Sequence, residues 1–561
     1  MKTRMSAAVD QSVSAPVAPP GRWEKKERLW VALLLAAFLA SGIFFIKPYM
    51  TGSDQVSYIT IAQKYARGQF DQAVNGYWSP LFSWLLAPLL WVRIEPVVAY
   101  KLLTLLASAF LLISFHLLSR RFSLTFPWRM IALLAFAPSL FFCFYLIDNG
   151  PDILVTGLIV CYVFVLFDPR YLARKHSWLW CGLFGALAYL AKSYAFFFFL
   201  GHVLVFHLYL FIVSGRGPER KKTIGRFLAV LAFFFCLSGA WIAAVSLKYH
   251  KPTFNASSKI IFSLIGPYSK DPGAHPMMTG GLFPPPNPTA VNAWEDPAAY
   301  IRLYRSWSPF QSGRDFAFWF RIMQVNFKVV LKVFANFSPL FPIILLAGLI
   351  LAFFPRRHRV LFLSWPTLFF YTSGYVALFV IERYLIFDLI LIILIGAYLL
   401  NLLSRARNRA TRASVTLLTA AFLISFFLLP YQYSALFRDG RKKFFITFGF
   451  TDIDLYRLSR TLRFRFRIPP GAKIASNVHY SPTLILAYYL GLKYYGNMTS
   501  YGASPENQSE LRKSGIDFVF YWSQDKLKDY FLASYREITR GKTRPLWVYS
   551  LKERAAFQHQ P

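Results

Sequence analysis

The stretch FFIKPYMTGSDQVSYITIAQKYARGQF (44–70) joins the end of an apolar segment to an amphipathic one rich in aromatic residues. The apolar segment before it, residues 29–46, is close to the length of about 20 residues that a helix needs to cross a bilayer. A lone carboxylate, Asp54, stands where the chain leaves that segment. The pattern predicts a membrane protein whose first loop carries an acid, followed by a helix along the membrane surface.

The composition supports a protein that crosses the membrane many times. The chain has 561 residues, of which 56% are hydrophobic, 19% aromatic and 16% charged, a profile typical of polytopic membrane proteins. The formal net charge of +36 would indicate a nucleic-acid partner in a soluble protein. Here the basic clusters lie between apolar segments, so the positive-inside rule explains the charge and no nucleic-acid partner is expected.

We predict eleven membrane-spanning helices, with the N-terminus inside and the C-terminus outside. The predicted spans are 29–46, 98–118, 130–147, 152–167, 178–191, 194–213, 226–247, 335–354, 360–380, 385–402 and 413–430. The fifth and sixth form one apolar tract interrupted by Lys192 and Ser193. Reading them as two helices makes every predicted inner loop basic, whereas merging them would place three basic clusters outside.

The segments outside the spans differ in character. Residues 1–28 are polar and basic and predict a cytoplasmic tail without a cleavable signal, followed by the transmembrane domain 29–430. The outer segments include a first loop, 47–97, a long loop, 248–334, and a tail, 431–561. Predicted strands in the tail are AKIASNV (472–478), DFVFYW (517–522) and PLWVYSLK (545–552), and predicted helices are SPTLILAYYLGL (481–492) and PENQSELRKSG (505–515). The tail therefore predicts a small outer α/β domain.

Three acids near the predicted outer ends of spans are candidates for catalysis. Asp54 suits a general base, although an acid at a helix start also serves as a cap. Asp148 and Asp152 flank an Asn-Gly-Pro turn in YLIDNGPDILVTGL (145–158), where turn and capping roles are common. The functional interpretation is that this turn supplies a second acid facing Asp54 across one cavity, to position an acceptor or a metal ion.

Two cations also lie at predicted outer ends of spans, where the positive-inside rule gives no reason for them. Lys192 occurs in YLAKSYAFFFF (189–199) and Arg383 in VIERYLIFD (380–388). Such cations suit a lipid phosphate or pyrophosphate. The alternatives for Arg383 are a local pair with Glu382 or extension to the membrane interface.

The long loop is the third candidate region, with many prolines and tryptophans between residues 266 and 312. Trp294, Trp307 and Trp319 offer flat faces for sugar rings or for the membrane interface, and the loop could act as a lid.

The histidines do not indicate a metal site. His250 and His275 lie in or near the long loop without metal-binding spacing, and His202 and His207 are spaced wrongly for one helical face. The four cysteines all lie in apolar segments and indicate packing. No cofactor is expected, and a divalent metal is left open.

Taken in order, these motifs resemble the C-superfamily integral-membrane glycosyltransferases, especially bacterial aminoarabinose transferases and protein O-mannosyltransferases. The order is GSDQVSYITIAQKYARGQF (52–70), WSPLFSWLLAPL (78–89), DNGPD (148–152), GALAYLAKSYAFFF (185–198) and ERY (382–384), followed by an outer domain. Gln55 stands where many relatives have a second acid, and RYLIFDLILI (383–392) lacks the usual proline-rich continuation.

The resemblance implies a hexosyl- or pentosyltransferase of the cytoplasmic (inner) membrane. Such enzymes move a sugar from a polyprenyl-phosphate donor to a lipid, glycan or protein acceptor on the outer face, usually with inversion. It implies that Asp54 is the general base, that Asp152 or Asp148 is the second acid, and that Lys192 and Arg383 bind the donor phosphate. Tyr58, Trp294 and Trp307 are further candidates for substrate binding.

Two other classes of protein remain open from the sequence. A transporter or flippase of a lipid-linked saccharide would need the same aromatic and cationic residues, but should show broken spans and acids near the middle of the membrane. A non-catalytic anchoring protein would leave Lys192 and the paired acids without a purpose. No nucleotide-binding motif supports a pump driven by nucleotide hydrolysis.

Overall fold

The structure, a computed structural model, describes residues 22–214, 217–269, 280–305, 307–405, 409–438, 452–498, 505–524 and 530–554. Most of the predicted tail 1–28, His275 and parts of the segment 431–561 lie outside the described residues. The α-helices are α1 (Arg22–Phe44), α2 (Asp54–Ala66), α3 (Phe70–Ala73), α4 (Pro80–Trp91), α5 (Pro96–Arg121), α6 (Phe126–Ser139), α7 (Gly150–Leu166), α8 (Ser177–Ala191), α9 (Tyr194–Val213), α10 (Pro218–Lys248), α11 (Ser257–Ile265), α12 (Gly313–Phe337), α13 (Phe341–Ala352), α14 (Arg359–Val376), α15 (Ile386–Leu403), α16 (Arg409–Arg438), α17 (Asp452–Phe464), α18 (Tyr480–Leu490), α19 (Pro505–Lys513) and α20 (Tyr530–Ala533). The strands are β1 (Lys473–Ser476), β2 (Lys493–Asn497), β3 (Phe518–Trp522), β4 (Tyr535–Glu537) and β5 (Leu546–Arg554).

The helices form a polytopic bundle, as the sequence predicts. Within the described residues, seven helices are long and apolar enough to cross a membrane, or eight if one bent pair counts as a single span. Three shorter apolar helices, α4, α7 and α8, join them in the bundle. Helix α15 is central, because every residue from Ile386 to Ala397 is buried. A one-turn 3₁₀ helix, Glu382–Leu385, leads directly into it.

The predicted eighth span, 335–354, is wrong as a single helix. Helix α12 ends at Phe337, and α13 begins at Phe341 after a bend of 104°. Pro342 lies in the first turn of α13, where its ring would clash with the carbonyl of Ser338 if the helix continued. Ser338 accordingly adopts an extended conformation, and its hydroxyl accepts a hydrogen bond from the Leu340 N–H at 3.2 Å.

The predicted break at Lys192 and Ser193 is confirmed. Helix α8 ends at Ala191, and α9 begins at Tyr194. Lys192 is extended, with φ −156° and ψ 123°, so the chain reverses there instead of continuing as one long helix. Ion pairs join Lys192 to Asp152 and Arg383 to both Asp152 and Asp54, and Tyr194 stacks on Tyr375 near the end of α14. The ends of α8 and α14 and the start of α7 therefore lie at the same end of the bundle as Asp54, which we call the site end.

The helix predicted after Asp54 is confirmed as α2, but it is covered by protein. Residues Gln55 to Ala62 are all buried, since α2 packs against α4, and the 3₁₀ turn Ala293–Glu295 and α18 also contact it. A helix lying free on a membrane surface would expose one face to water. The long loop and the C-terminal region supply that cover instead.

The C-terminal region contains a five-stranded mixed sheet with strand order β2-β1-β3-β5-β4. Strand β1 runs parallel to both β2 and β3, and β5 runs antiparallel to β3 and β4. The three predicted strands correspond to β1, β3 and β5, and the two predicted helices to α18 and α19. Strands β2 and β4 and helices α17 and α20 were not predicted.

Part of the long loop adds to this sheet as an extra edge segment. The N–H groups of Gly281 and Phe283 donate to the carbonyls of Asn497 and Tyr495, each at 2.8 Å, and the Tyr494 N–H donates to the Val291 carbonyl at 2.8 Å. The loop and β2 therefore share backbone hydrogen bonds as neighbouring strands do. This contact attaches the long loop to the C-terminal region, next to α2.

Candidate active site

Four charged side chains from distant parts of the chain meet at the site end. Asp54 begins α2, Asp152 lies in the first turn of α7, Lys192 lies between α8 and α9, and Arg383 lies in the 3₁₀ turn before α15. Each residue stands at a helix terminus, where side chains can leave the apolar bundle without burying unpaired charge.

Arg383 connects the two acids. Its Nη2 lies 2.9 Å from Oδ2 of Asp54, and its Nε lies 3.4 Å from Oδ2 of Asp152. Its Nη1 also donates to the side-chain oxygen of Asn149 at 3.4 Å. Lys192 donates to Oδ1 of Asp152. Asp54, Arg383, Asp152 and Lys192 thus form a row of alternating charge, which we call the charge row, and Glu382 is not the partner of Arg383.

The turn that presents Asp152 depends on small and constrained residues. Asp148 has a positive φ of 58°, and Asn149 precedes the first helical residue of α7, Gly150. A Cβ at Gly150 would lie 2.5 Å from the Thr104 hydroxyl oxygen, so only glycine fits there. Pro151 then sits where a helix tolerates a missing N–H, and Asp152 projects from the next position.

Asp148 lies apart from the charge row, although it is only four residues from Asp152. Its Oδ2 lies 2.9 Å from the Lys101 ammonium and accepts from the Thr51 hydroxyl at 2.5 Å. Its carbonyl accepts from the Tyr100 hydroxyl at 3.1 Å. The turn therefore brings Asp152, and not Asp148, together with Asp54 through Arg383.

Aromatic side chains line the charge row. The Lys192 ammonium lies 3.8 Å from the centre of the Tyr384 ring, and the Arg383 guanidinium lies 5.6 Å from it. Tyr58, one turn after Asp54, is buried between Trp78 and Phe82. Burial first, and then the carboxylates of Asp152 and Asp54, raise the pKa of Tyr58 well above its ordinary value. Its hydroxyl therefore keeps its proton at neutral pH.

The two tryptophans predicted to bind substrate are both buried. Trp294 packs against Tyr77, with ring centres 5.0 Å apart, and its carbonyl accepts from the Trp78 indole at 3.0 Å. Trp307 packs against Phe262, and its indole donates to Asp315 at 2.7 Å. The ring faces of both residues are thus in contact with protein, and their role in binding stays a prediction.

The donor set of the site does not fit a divalent cation. The side-chain oxygen of Gln55 accepts a hydrogen bond from the Thr51 N–H at 3.1 Å. Ammonium or guanidinium groups already pair with the carboxylates of Asp54, Asp148 and Asp152. Within the described residues, no three histidine, cysteine or acidic side chains are grouped to hold a metal ion.

His202 and His207 bind neighbouring tyrosines inside the bundle. His202 contacts the hydroxyl of Tyr162 at 2.9 Å, and His207 contacts that of Tyr171 at 3.1 Å. Both histidines have the packing role that their spacing indicates.

Three of the four cysteines are buried, and the fourth, Cys236, is exposed on α10.

Several charged contacts around the site were not predicted from the sequence. Lys101 lies near the end of an apolar segment, and the same signal that indicates Lys192 could have indicated it. Lys64 on α2 and Glu295 in the long loop form a buried ion pair. The next residue, Asp296, pairs with Lys248 at 2.7 Å. Both acids occur in the loop sequence WED (294–296), and nothing in this short sequence indicates that they form buried ion pairs.

This bundle, with its site at helix ends beneath a loop and a C-terminal sheet, has a fold similar to that of solved structures of ArnT and of an archaeal oligosaccharyltransferase. ArnT from Cupriavidus metallidurans superimposes in its apo state with a TM-score of 0.56 at 12% identity, covering 93% of this chain and 97% of that chain. ArnT bound to undecaprenyl phosphate gives a TM-score of 0.51 at 12% identity, covering 93% and 98%. The apo oligosaccharyltransferase of Archaeoglobus fulgidus gives 0.51 at 10% identity, covering 88% and 69%.

No family model matches the sequence. No curated protein matches it either. The similarity of this chain to known proteins therefore rests on its fold and not on its sequence.

Proposed function

We propose that the protein is a membrane glycosyltransferase that moves a sugar from a polyprenyl-phosphate donor to a lipid, glycan or protein acceptor. The observation that carries the proposal is the charge row, in which Asp54, Arg383, Asp152 and Lys192 meet at the ends of apolar helices. A carboxylate partly open to solvent and two cations beside it are the groups that transfer from a phosphate donor requires.

Arg383 and Lys192 are the proposed ligands of the donor phosphate. An arginine can hold two phosphate oxygens at once, and a lysine adds a point charge. The ArnT structure with undecaprenyl phosphate supports this class of donor, because it has the same fold. Tyr384 would hold Lys192 in place through its ring.

Asp54 is the proposed general base. The acceptor oxygen attacks the anomeric carbon of the sugar and gives its proton to the Asp54 carboxylate. The bond between the anomeric carbon and the phosphate oxygen breaks, and the phosphate leaves with the electron pair. Arg383 and Lys192 neutralise the charge that develops on it, while Asp152 holds both cations in position.

We also propose an orientation of the protein in the membrane and a division of the chain into three parts. The basic clusters favour a cytoplasmic tail at 1–28, a transmembrane domain at 29–430 and an extracytoplasmic domain at 431–561. The site end, with loops 47–97 and 248–334, then faces the outside of the cytoplasmic (inner) membrane. Tyr58, Trp294 and Trp307 would shape the acceptor and sugar side of the site, from their places near α2 and in the long loop.

A flippase for a lipid-linked saccharide is the second candidate, and the bend between α12 and α13 is the feature that favours it. The charge row favours the enzyme, since its acids lie in the first turns of α2 and α7 and not at mid-helix.

The test is transfer of labelled sugar from a polyprenyl-phosphate donor by purified protein in vesicles. Asp54→Asn should lose about 100-fold or more of the rate, because general-base catalysis contributes about 10²–10⁴-fold. Asp71→Asn is the matched control, since Asp71 lies exposed in the same loop, and it should retain activity. Full activity in Asp54→Asn would overturn the assignment of the base. Donor lipid that crosses the bilayer with its sugar intact would favour the flippase.

A further inference from the structure

The charge row is formally neutral in the structure. Two carboxylates, Asp54 and Asp152, pair with two cations, Lys192 and Arg383. An anionic phosphate entering this row would meet cations whose charge is already neutralised. Its binding therefore requires one carboxylate to give up its cation.

The two carboxylates are held very differently. The Asp152 side chain is 9% exposed, accepts from Lys192 and faces Arg383. The Asp54 side chain is 38% exposed, and it pairs with Arg383 through the 2.9 Å contact of its Oδ2 with Nη2. Water can solvate the Asp54 carboxylate once it separates from Arg383, whereas Asp152 would remain in a buried place.

We propose that the donor phosphate displaces Asp54 from Arg383, so that the base becomes available only when the donor is bound. This inference rests on the proposed function and concerns the same site. In the empty protein, Nη2 of Arg383 lies 2.9 Å from Oδ2 of Asp54 and occupies the carboxylate oxygen that would face the acceptor. In the loaded protein, the phosphate takes over Nη2 of Arg383, and the freed Asp54 can accept the proton of the acceptor.

The order of events follows from this exchange. An acceptor that arrives before the donor meets a carboxylate already engaged by a guanidinium, and so it is not deprotonated. After transfer, Asp54 carries the proton of the acceptor and the phosphate keeps both cations. Once the phosphate leaves, Asp54 releases this proton to water and pairs with Arg383 again. The row thus acts as a gate for the base, in that Asp54 is available only while a phosphate occupies Arg383.

The experiment is a double-mutant cycle on phosphate binding, with farnesyl phosphate as the probe and calorimetry on the full-length protein in neutral detergent. Asp54→Asn should bind about 3- to 10-fold more tightly than wild type, because the probe no longer competes with a carboxylate. Arg383→Gln should bind much more weakly. Adding Asp54→Asn to Arg383→Gln should give little further change, since the competition takes place at Arg383.

The outcomes separate the gate from the proposed function. If wild type transfers sugar but Asp54→Asn binds farnesyl phosphate no more tightly, the gate is overturned and the glycosyltransferase assignment stands. A gain of equal size in the Arg383→Gln background would overturn it too, because that gain would reflect general charge. If wild type neither binds the probe nor transfers sugar, both proposals fall. If Asp54→Asn does not fold, Asp54→Ala provides the same comparison of farnesyl phosphate binding with wild type.

Discussion

The ammonium group of Lys192 lies 3.8 Å from the centre of the Tyr384 ring, so the residue next to Arg383 in the chain supports the second cation of the charge row. Lys192 and Tyr384 come from different helix junctions, the first between α8 and α9 and the second in the 3₁₀ turn before α15. The ring therefore fixes one junction relative to the other through a cation–π contact.

We expect Tyr384→Leu to weaken binding of farnesyl phosphate by about 3- to 10-fold, since a partly desolvated cation–π contact is worth about 1 kcal/mol. Tyr384→Phe keeps the aromatic face and should bind nearly as wild type does. Calorimetry on both variants measures the difference. Equal losses in the two variants would show that the hydroxyl, and not the ring, is what matters.

Replacing Asp148 should lower the stability of the protein, whereas replacing Asp152 should lower its transfer rate. Asp148→Asn leaves the buried Lys101 ammonium without its counter-charge, and we expect a loss of about 3 kcal/mol or more in stability. The folded fraction should still transfer sugar, because Asp148 faces Lys101 and not Arg383. Thermal unfolding in detergent and the transfer rate per folded molecule separate the two effects.

The matched control is the double variant Asp148→Asn/Lys101→Met, which removes both charges. It should recover most of the lost stability. Asp152→Asn, in contrast, should lower transfer in protein that is fully folded. Loss of transfer in folded Asp148→Asn would return Asp148 to the list of catalytic candidates.

The buried pair between Lys64 and Glu295 should hold the long loop against α2. Both side chains are 2% exposed, so Glu295→Gln leaves a buried lysine without its charged partner. We expect faster hydrogen exchange at residues 292–300 and lower stability by about 3 kcal/mol. Lys64→Met/Glu295→Gln should restore slow exchange. Unchanged exchange in Glu295→Gln would mean that Asp296 and Lys248 suffice to hold the loop.

Gly496 should be intolerant of any side chain. Its φ is 124°, and a Cβ there would lie 2.7 Å from the carbonyl oxygen of Gly281. We therefore expect Gly496→Ala to release the loop from β2 and to expose the amides of Gly281 and Phe283 to exchange. Gly239→Ala is the control, since its Cβ would meet nothing within 4 Å on α10, and it should be neutral or slightly stabilising.

The helical bundle could be predicted from the sequence because apolar length and charge bias are local signals. Even the reversal at Lys192 followed from the charges of the loops. The bend at Ser338 was missed, because Pro342 stands inside a run of apolar residues that reads as continuous. Strand β2 was missed for a related reason, since KYYGN (493–497) is short and contains a glycine.

The candidate site was partly predictable. Asp54, Asp152, Lys192 and Arg383 stood out as charges at the ends of apolar segments, and the structure brings them together. The sequence could not separate Asp152 from Asp148, because which acid faces Arg383 depends on the positive φ of Asp148 and on Lys101 in another helix. The buried pairs of Glu295 and Asp296 depend on a loop path that no local pattern encodes.

The backbone pairing between the long loop and β2 has a consequence for the timing of assembly. The Val291 carbonyl accepts its hydrogen bond from the Tyr494 N–H, so the cover over α2 cannot close until the ribosome has made the chain as far as β2. A chain released before β2 could insert its helices and still leave α2 uncovered. Contacts that are so distant in sequence form slowly, and strand β2 therefore completes the surroundings of Asp54 long after Asp54 itself has been synthesised.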